Sequence, residues 1–186
     1  MNDDDLPFSA QNWYLRHSHV QTILANRFFQ KPYPLHQLKS EYISIYNSHG
    51  QRDTIELVWQ SQSKIKDNPI VLLIHGLEGS THSHYIQQLL HYNQAHHMSV
   101  ALVTMHFRGC NGRVNLLPES YHAGRSDDID YVINYLKLRY PSSQLFAIGF
   151  SLGANALIKY LATTSNSPLT ATAVVSPPFN LAQSSK

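Results

Sequence analysis

Leu145-Phe146-Ala147-Ile148-Gly149-Phe150-Ser151-Leu152-Gly153-Ala154-Asn155-Ala156-Leu157 holds the most informative change of pattern in the chain. Leu145 to Ile148 is a short apolar run, read as a strand covered on both faces. Leu152 to Ala162 reads as a helix, and Gly149-Phe150-Ser151-Leu152-Gly153 joins the two as a G-x-S-x-G pattern. A serine on such a turn sits on strained backbone with its hydroxyl presented outward. Glycines two residues before and after it let strand and helix approach without a Cβ clash. The helix N-terminus adds unpaired N–H groups where negative charge develops on an acyl intermediate. Ser151 is thus the candidate nucleophile and the N–H of Leu152 a candidate oxyanion donor. A turn built only for tight packing would also carry the two glycines; agreement of strand, turn and helix favours the nucleophile.

Outward from this junction the alternation repeats. Ile70-Val71-Leu72-Leu73-Ile74 and Val100-Ala101-Leu102-Val103 read as buried strands, and Ala171 to Val175 as a further strand. Ser83 to His97 and Arg125 to Tyr140 read as helices, the second with Ile129, Val132, Ile133 and Leu136 on one face and Asp127, Asp128 and Asp130 where the helix dipole favours anions. Strands alternating with helices require right-handed crossovers, hence a mainly parallel α/β sheet with helices on both faces. Before it, Glu41 to Tyr46 and Thr54 to Gln60, joined by Asn47-Ser48-His49-Gly50, predict an antiparallel hairpin. Residues 1–40, with Trp13-Tyr14-Leu15 and Val20, Ile23 and Leu24 suggesting a short helix, form the expected capping segment; 41–186 form the core.

The 186 residues carry 14 Lys and Arg against 12 Asp and Glu, a net charge of +2, with 42% hydrophobic residues. That composition fits one ordinary globular domain large enough for its own core. No basic stripe or tail is present, so nucleic acid is not an expected partner. No apolar run approaches the roughly 20 residues of a spanning helix, so no integral membrane segment is expected. The start, Met1-Asn2-Asp3-Asp4-Asp5-Leu6-Pro7, lacks an export signal, and a cytoplasmic location is the expectation. The single cysteine, Cys110, cannot form an internal disulfide, and its turn position reads as packing rather than as a reactive thiol.

A second motif supports the first. His75-Gly76-Leu77-Glu78-Gly79 follows the strand ending at Ile74. In an acyl-transfer site of this architecture that loop supplies the other oxyanion donor, here the N–H of Leu77. Phosphate cradling is disfavoured, because neither G-x-x-x-x-G-K-[ST] nor G-x-G-x-x-G occurs. His75, His82 and His84 cluster in sequence without the spacing of a metal site, so no metal is expected. His75 is expected to order its loop by hydrogen bonding, and His91, His96 and His97 to be solvated.

His75-Gly76-Leu77-Glu78-Gly79-Ser80, Phe107-Arg108-Gly109-Cys110-Asn111-Gly112, Tyr121-His122-Ala123-Gly124 and Gly149-Phe150-Ser151-Leu152-Gly153-Ala154-Asn155, in this order, resemble the YheT-like branch of the α/β-hydrolase superfamily. His19-Val20-Gln21-Thr22-Ile23-Leu24 fits as well. The resemblance runs from about residue 13 to about residue 180. It implies the α/β-hydrolase fold and a serine hydrolase of carboxylesterase or acylglycerol-lipase type, with Ser151 as nucleophile, a small ester or lipid-like substrate and no cofactor. The superfamily's triad continues from the serine to an acid and then a histidine, whereas residues 152–186 contain no Asp, Glu or His. The expectation is therefore a core truncated after its fourth α/β-type strand, impaired for lack of acid and base, with Ala171 to Val175 left as an edge open to pairing. The rival expectations are a non-catalytic remnant, or half of a split hydrolase completed by a separate C-terminal chain. A metal-dependent hydrolase using the histidine cluster is the third.

Overall fold

The computed structural model describes residues 32–46, 49–60, 67–110, 112, 115–118, 121–122 and 125–179. The described residues from Tyr33 onward belong to one compact unit. The expected helix near Trp13 to Leu24 lies outside them. A 3-10 turn, Leu35–Gln37, leads into β1 (Leu38–Tyr46), which begins earlier than its expected start at Glu41. Then follow β2 (Arg52–Gln60), β3 (Ile70–Ile74), α1 (His84–Ala95), β4 (Ala101–His106), α2 (Asp127–Arg139), β5 (Leu145–Phe150), α3 (Leu152–Thr163) and β6 (Leu169–Val175). His96 and His97, expected inside the first helix, lie just past its end and are exposed.

The six strands form one sheet in the order β1-β2-β4-β3-β5-β6. β1 pairs with β2 and β2 with β4 in antiparallel fashion; the β4/β3, β3/β5 and β5/β6 pairs are parallel. This is the expected α/β architecture with an antiparallel start. The register sets the site: Ile74, the last residue of β3, lies opposite both Met105 and Gly149. The loops leaving β3 and β4 and the turn leaving β5 therefore emerge side by side at one edge, where open α/β sheets collect their functional groups.

Alternation along β3 divides the core in two. Leu72 and Ile74 pack with Val103, Met105, Ile129, Val132, Ile133 and Leu136, together with Ala156, Leu157 and Tyr160 of α3. Leu73 turns to the opposite face and joins Ile86 and Leu90 of α1, Leu102 and Tyr33. Ile70, Leu72, Leu73 and Ile74 are at most 1% exposed, which is why this segment has no polar position.

Candidate active site

The turn between β5 and α3 is a single residue. Ser151 adopts φ 50° and ψ −117° and is exposed, while its N–H donates to the carbonyl of Val175 at 2.9 Å. A non-glycine residue in this region costs on the order of 1–3 kcal/mol and persists only where its surroundings enforce it. The enforcement is visible at the flanking glycines. A Cβ on Gly153 would lie 2.3 Å from the carbonyl oxygen of His75 and 2.6 Å from that of Ile74, and one on Gly149 would lie 2.8 Å from the Ala154 Cα. Strand and helix thus approach to distances only glycine allows. Leu152 is the first residue of α3, so its N–H belongs to the unpaired first turn of the helix.

The loop after β3 passes directly against this turn: a Cβ on Gly76 would sit 3.1 Å from the Cβ of Ser151. His75 beneath it is 0% exposed. Its Nδ1 is 2.7 Å from the Gly76 carbonyl oxygen and its Nε2 accepts the Phe107 N–H at 3.2 Å, so the ring is neutral with its proton on Nδ1. Burial, more than its neighbours, lowers its pKa to about 4. His75 orders the loop as expected, and with both nitrogens occupied it has no capacity left as a base. Leu77 is 69% exposed, and Glu78 takes φ 51°. A cleft of about 530 Å³ opens beside them, lined by Leu77, Glu78, Arg108, Gly109, Cys110 and Tyr121.

Two buried polar assemblies support the loops, and neither is announced by a contiguous motif in the sequence. His106, at the end of β4, accepts the Thr81 N–H on Nε2 at 2.8 Å, with the Thr81 hydroxyl 2.6 Å away, and its Nδ1 faces Glu56 Oε2 at 3.1 Å. Burial lowers the His106 pKa against the opposing pull of Glu56. Arg108 forms a two-point ion pair with Asp128, with Nε to Oδ2 at 3.1 Å, and lies 3.6 Å from Asp53. Asp128, one of three aspartates expected to sit in the first turn of its helix, is 3% exposed and ties α2 to the β4 loop. Its signal was the lone Arg108 of Phe107-Arg108-Gly109 opposite an acidic helix start; pairing across 20 residues is not legible in periodicity. Cys110 is half-buried, and burial raises its thiol pKa. Among the described residues no side chain hydrogen-bonds to the Ser151 hydroxyl.

The sequence model of the α/β-hydrolase fold family matches residues 69–184, and the chain belongs to that family. Within it the chain is YheT-like: it is 34% identical to YheT of Escherichia coli (strain K12) over 131 residues, 69% of this chain and 38% of that protein. It is 31% identical to Phospholipase ABHD3 of Bos taurus over 170 residues, 88% of this chain and 39% of the relative. Monoacylglycerol lipase of Saccharomyces cerevisiae is 32% identical over 61% of this chain and 25% of its own length. The chain thus spans less than two-fifths of these relatives. In structure it is similar to the esterase Pf2001 of Pyrococcus furiosus, with a TM-score of 0.59 and 18% identity over 82% of this chain and 57% of that one. It is also similar to a lidless α/β serine hydrolase of Xanthomonas campestris, with a TM-score of 0.54 and 18% identity over 82% and 66%. Both share the fold.

Proposed function

We propose that this chain carries the nucleophile-bearing part of a serine hydrolase of carboxylesterase or acylglycerol-lipase type, acting on small ester or lipid-like substrates. The observation that carries the reading is the approach of Gly76 to Ser151, an exposed serine on strained backbone, with the first N–H groups of α3 beside it. Relatives named as a lipase and a phospholipase support the substrate class. In this reading the Ser151 oxygen attacks the ester carbonyl, and its proton passes to a base. The Leu77 and Leu152 N–H groups hold the oxyanion, each worth about 3 kcal/mol where single donors have been removed. Collapse expels the alcohol, and water then releases the acid from the acyl-Ser151 ester. No cofactor enters.

The proton acceptor is the weak point of the 186 residues taken alone, since His75 is engaged and residues 152–186 hold no Asp, Glu or His. A serine without its base loses several orders of magnitude in rate but retains what the oxyanion hole supplies. The expected outcome is slow, stoichiometric labelling of Ser151 by an alkyl fluorophosphonate, located by peptide mass spectrometry and absent in Ser151→Ala, with negligible turnover of aryl esters. Labelling unchanged by Ser151→Ala sinks the assignment. Rapid turnover would instead place a base within these residues.

A further inference from the structure

We propose that Tyr121 is a positioning residue that, with Tyr85 opposite it, holds the loop after β3 in the shape that turns the Leu77 N–H toward Ser151. The proposal rests on the reading of Leu77 as an oxyanion donor and goes beyond it, because neither tyrosine touches the reacting atoms.

Three consecutive backbone N–H groups leave β3 after His75, and the outer two end on phenol oxygens. The Gly76 N–H donates to the Tyr85 hydroxyl at 2.9 Å, and the Glu78 N–H to the Tyr121 hydroxyl at 2.6 Å. The middle group, the N–H of Leu77, has no partner among the described residues. Its peptide is oriented from the carbonyl side. The Gly76 oxygen accepts from His75 Nδ1 at 2.7 Å and from the Gly79 N–H at 3.1 Å. In a trans peptide the N–H points away from the C=O, so an oxygen anchored inward turns the Leu77 N–H outward.

That arrangement requires Glu78 at φ 51°, which costs a non-glycine residue on the order of 1 kcal/mol and reverts unless something opposes it. The bond to Tyr121, formed across 43 residues of sequence, opposes it. Both tyrosines are themselves braced. Tyr121 stacks on Phe107 with centroids 5.0 Å apart and 8° between planes, and Phe107 meets the His75 ring edge-on at 5.1 Å. Tyr85 stacks on Phe150, the residue before Ser151, at 4.4 Å. Tyr121 also hydrogen-bonds to Cys110, and burial pushes its pKa up to about 12, so the hydroxyl keeps its proton throughout the working range.

Tyr121→Phe removes one oxygen while leaving the stacked ring in place, which separates the clamp from the packing. In the full chain, amide hydrogen exchange at Glu78, whose N–H loses its partner, should rise about tenfold, with β3 and β5 unchanged. The saturating rate of fluorophosphonate labelling at Ser151 should fall about tenfold, with little change in the reagent concentration giving half that rate. Tyr135→Phe is the control, since it deletes a hydroxyl bonded to Glu41 at 2.5 Å away from this loop. It should lower thermal stability and leave both readouts alone. Unchanged exchange at Glu78 in Tyr121→Phe overturns the clamp, whatever the labelling does. Faster exchange with an unchanged saturating rate overturns its chemical consequence. Faster exchange at Glu78 in Tyr121→Phe, together with a wild-type Ser151 that is never labelled, keeps the clamp and removes the nucleophile reading instead.

Discussion

β1 and β6 occupy matching positions as the two outer strands of one sheet, and they are made of different residues. β1 reads Leu38-Lys39-Ser40-Glu41-Tyr42-Ile43-Ser44-Ile45-Tyr46, with only Ile43 and Ile45 buried. Most of its other residues are polar, and Glu41, on the face of Ile43 and Ile45, accepts from Trp59 Nε1 at 2.9 Å and from the Tyr135 hydroxyl at 2.5 Å. β6 reads Leu169-Thr170-Ala171-Thr172-Ala173-Val174-Val175, without a charge, and is exposed from Thr170 to Val175. Charge on an outer strand discourages pairing with another chain, and a flat apolar one invites it. β1 has the composition of an edge, whereas β6 has that of an interior strand. Among the described residues, the β1 side and the strand–helix junction are therefore self-contained, and β6 is not.

The largest effect is expected where the self-contained part is tightest. Gly153→Ala puts a methyl group 2.3 Å and 2.6 Å from two backbone oxygens of the β3 terminus, neither of which can move without separating α3 from the sheet. The loss should be about 4 kcal/mol or more, read by urea denaturation or as failure to recover folded protein. Gly112→Ala is the contrast: among the described residues nothing lies within 4 Å, and only the strain of φ 72° counts, so about 1 kcal/mol is expected. Equal costs at the two glycines would mean that the close approach of helix and strand is not what fixes Ser151.

A smaller effect should appear on acidification. His75 has its folded pKa lowered from 6.5 to about 4, and His106 is shifted the same way. Above pH 6.5 both rings are neutral in folded and unfolded chains, and the stability is fully present. As pH falls below 6.5 the unfolded chain takes up protons that the buried rings refuse, so stability declines toward pH 4 and then levels off. For His75 the linkage amounts to about 3 kcal/mol, and the loss concerns the loop side of the molecule rather than β6. Urea titrations between pH 7.5 and 4 should show the decline, and His75→Asn should flatten it. A stability independent of pH in that window would mean that the rings are not held neutral.

The fold was legible because the segments that decide it are locally unambiguous. The run Ile70 to Ile74 admits no wet face, and Gly149 to Gly153 is a junction whose glycines and serine each have one steric purpose. The Ser151 turn and the loop after β3 could be singled out for the same reason, since each is a short contiguous motif. What could not be read was whatever joins distant residues. The Tyr121 hydroxyl on the Glu78 N–H, Arg108 on Asp128 and His106 between Glu56 and Thr81 bridge 43, 20 and 25 to 50 residues. No period or spacing announces such pairs. Asp128 shows the cost of local reasoning, because a helix-start aspartate looks the same whether it faces water or a buried guanidinium. Element ends also drifted, with β4 reaching His106 rather than Val103, since parallel pairing to β3 as far as Met105 and antiparallel pairing of His106 with Glu56 of β2 extend the strand past its most apolar residues.

The smallest change in folding energy, and the most direct test of the two edges, comes from adding charge to β6. Val174 is 40% exposed, so Val174→Lys loses little burial and its stem can still lie along the sheet. The expected cost is within about 1 kcal/mol. Its effect on association should be much larger. An uncharged row of open N–H and C=O groups flanked by Ala171, Ala173 and Val175 should pair with a second chain at micromolar concentrations. A lysine on that row brings like charges together whenever two such edges meet. Sedimentation velocity should therefore show concentration-dependent association of the wild-type chain and its suppression in Val174→Lys. The reciprocal change on the other edge, Lys39→Val, should leave association unaltered, because Glu41 and the one-sided burial of Ile43 and Ile45 still limit what β1 can pair with. Were Lys39→Val to raise association as much as Val174→Lys lowers it, the two edges would differ by one lysine and not by their design. Were the wild-type chain monomeric throughout, β6 would not be an open edge in solution, and something outside the described residues must cover it.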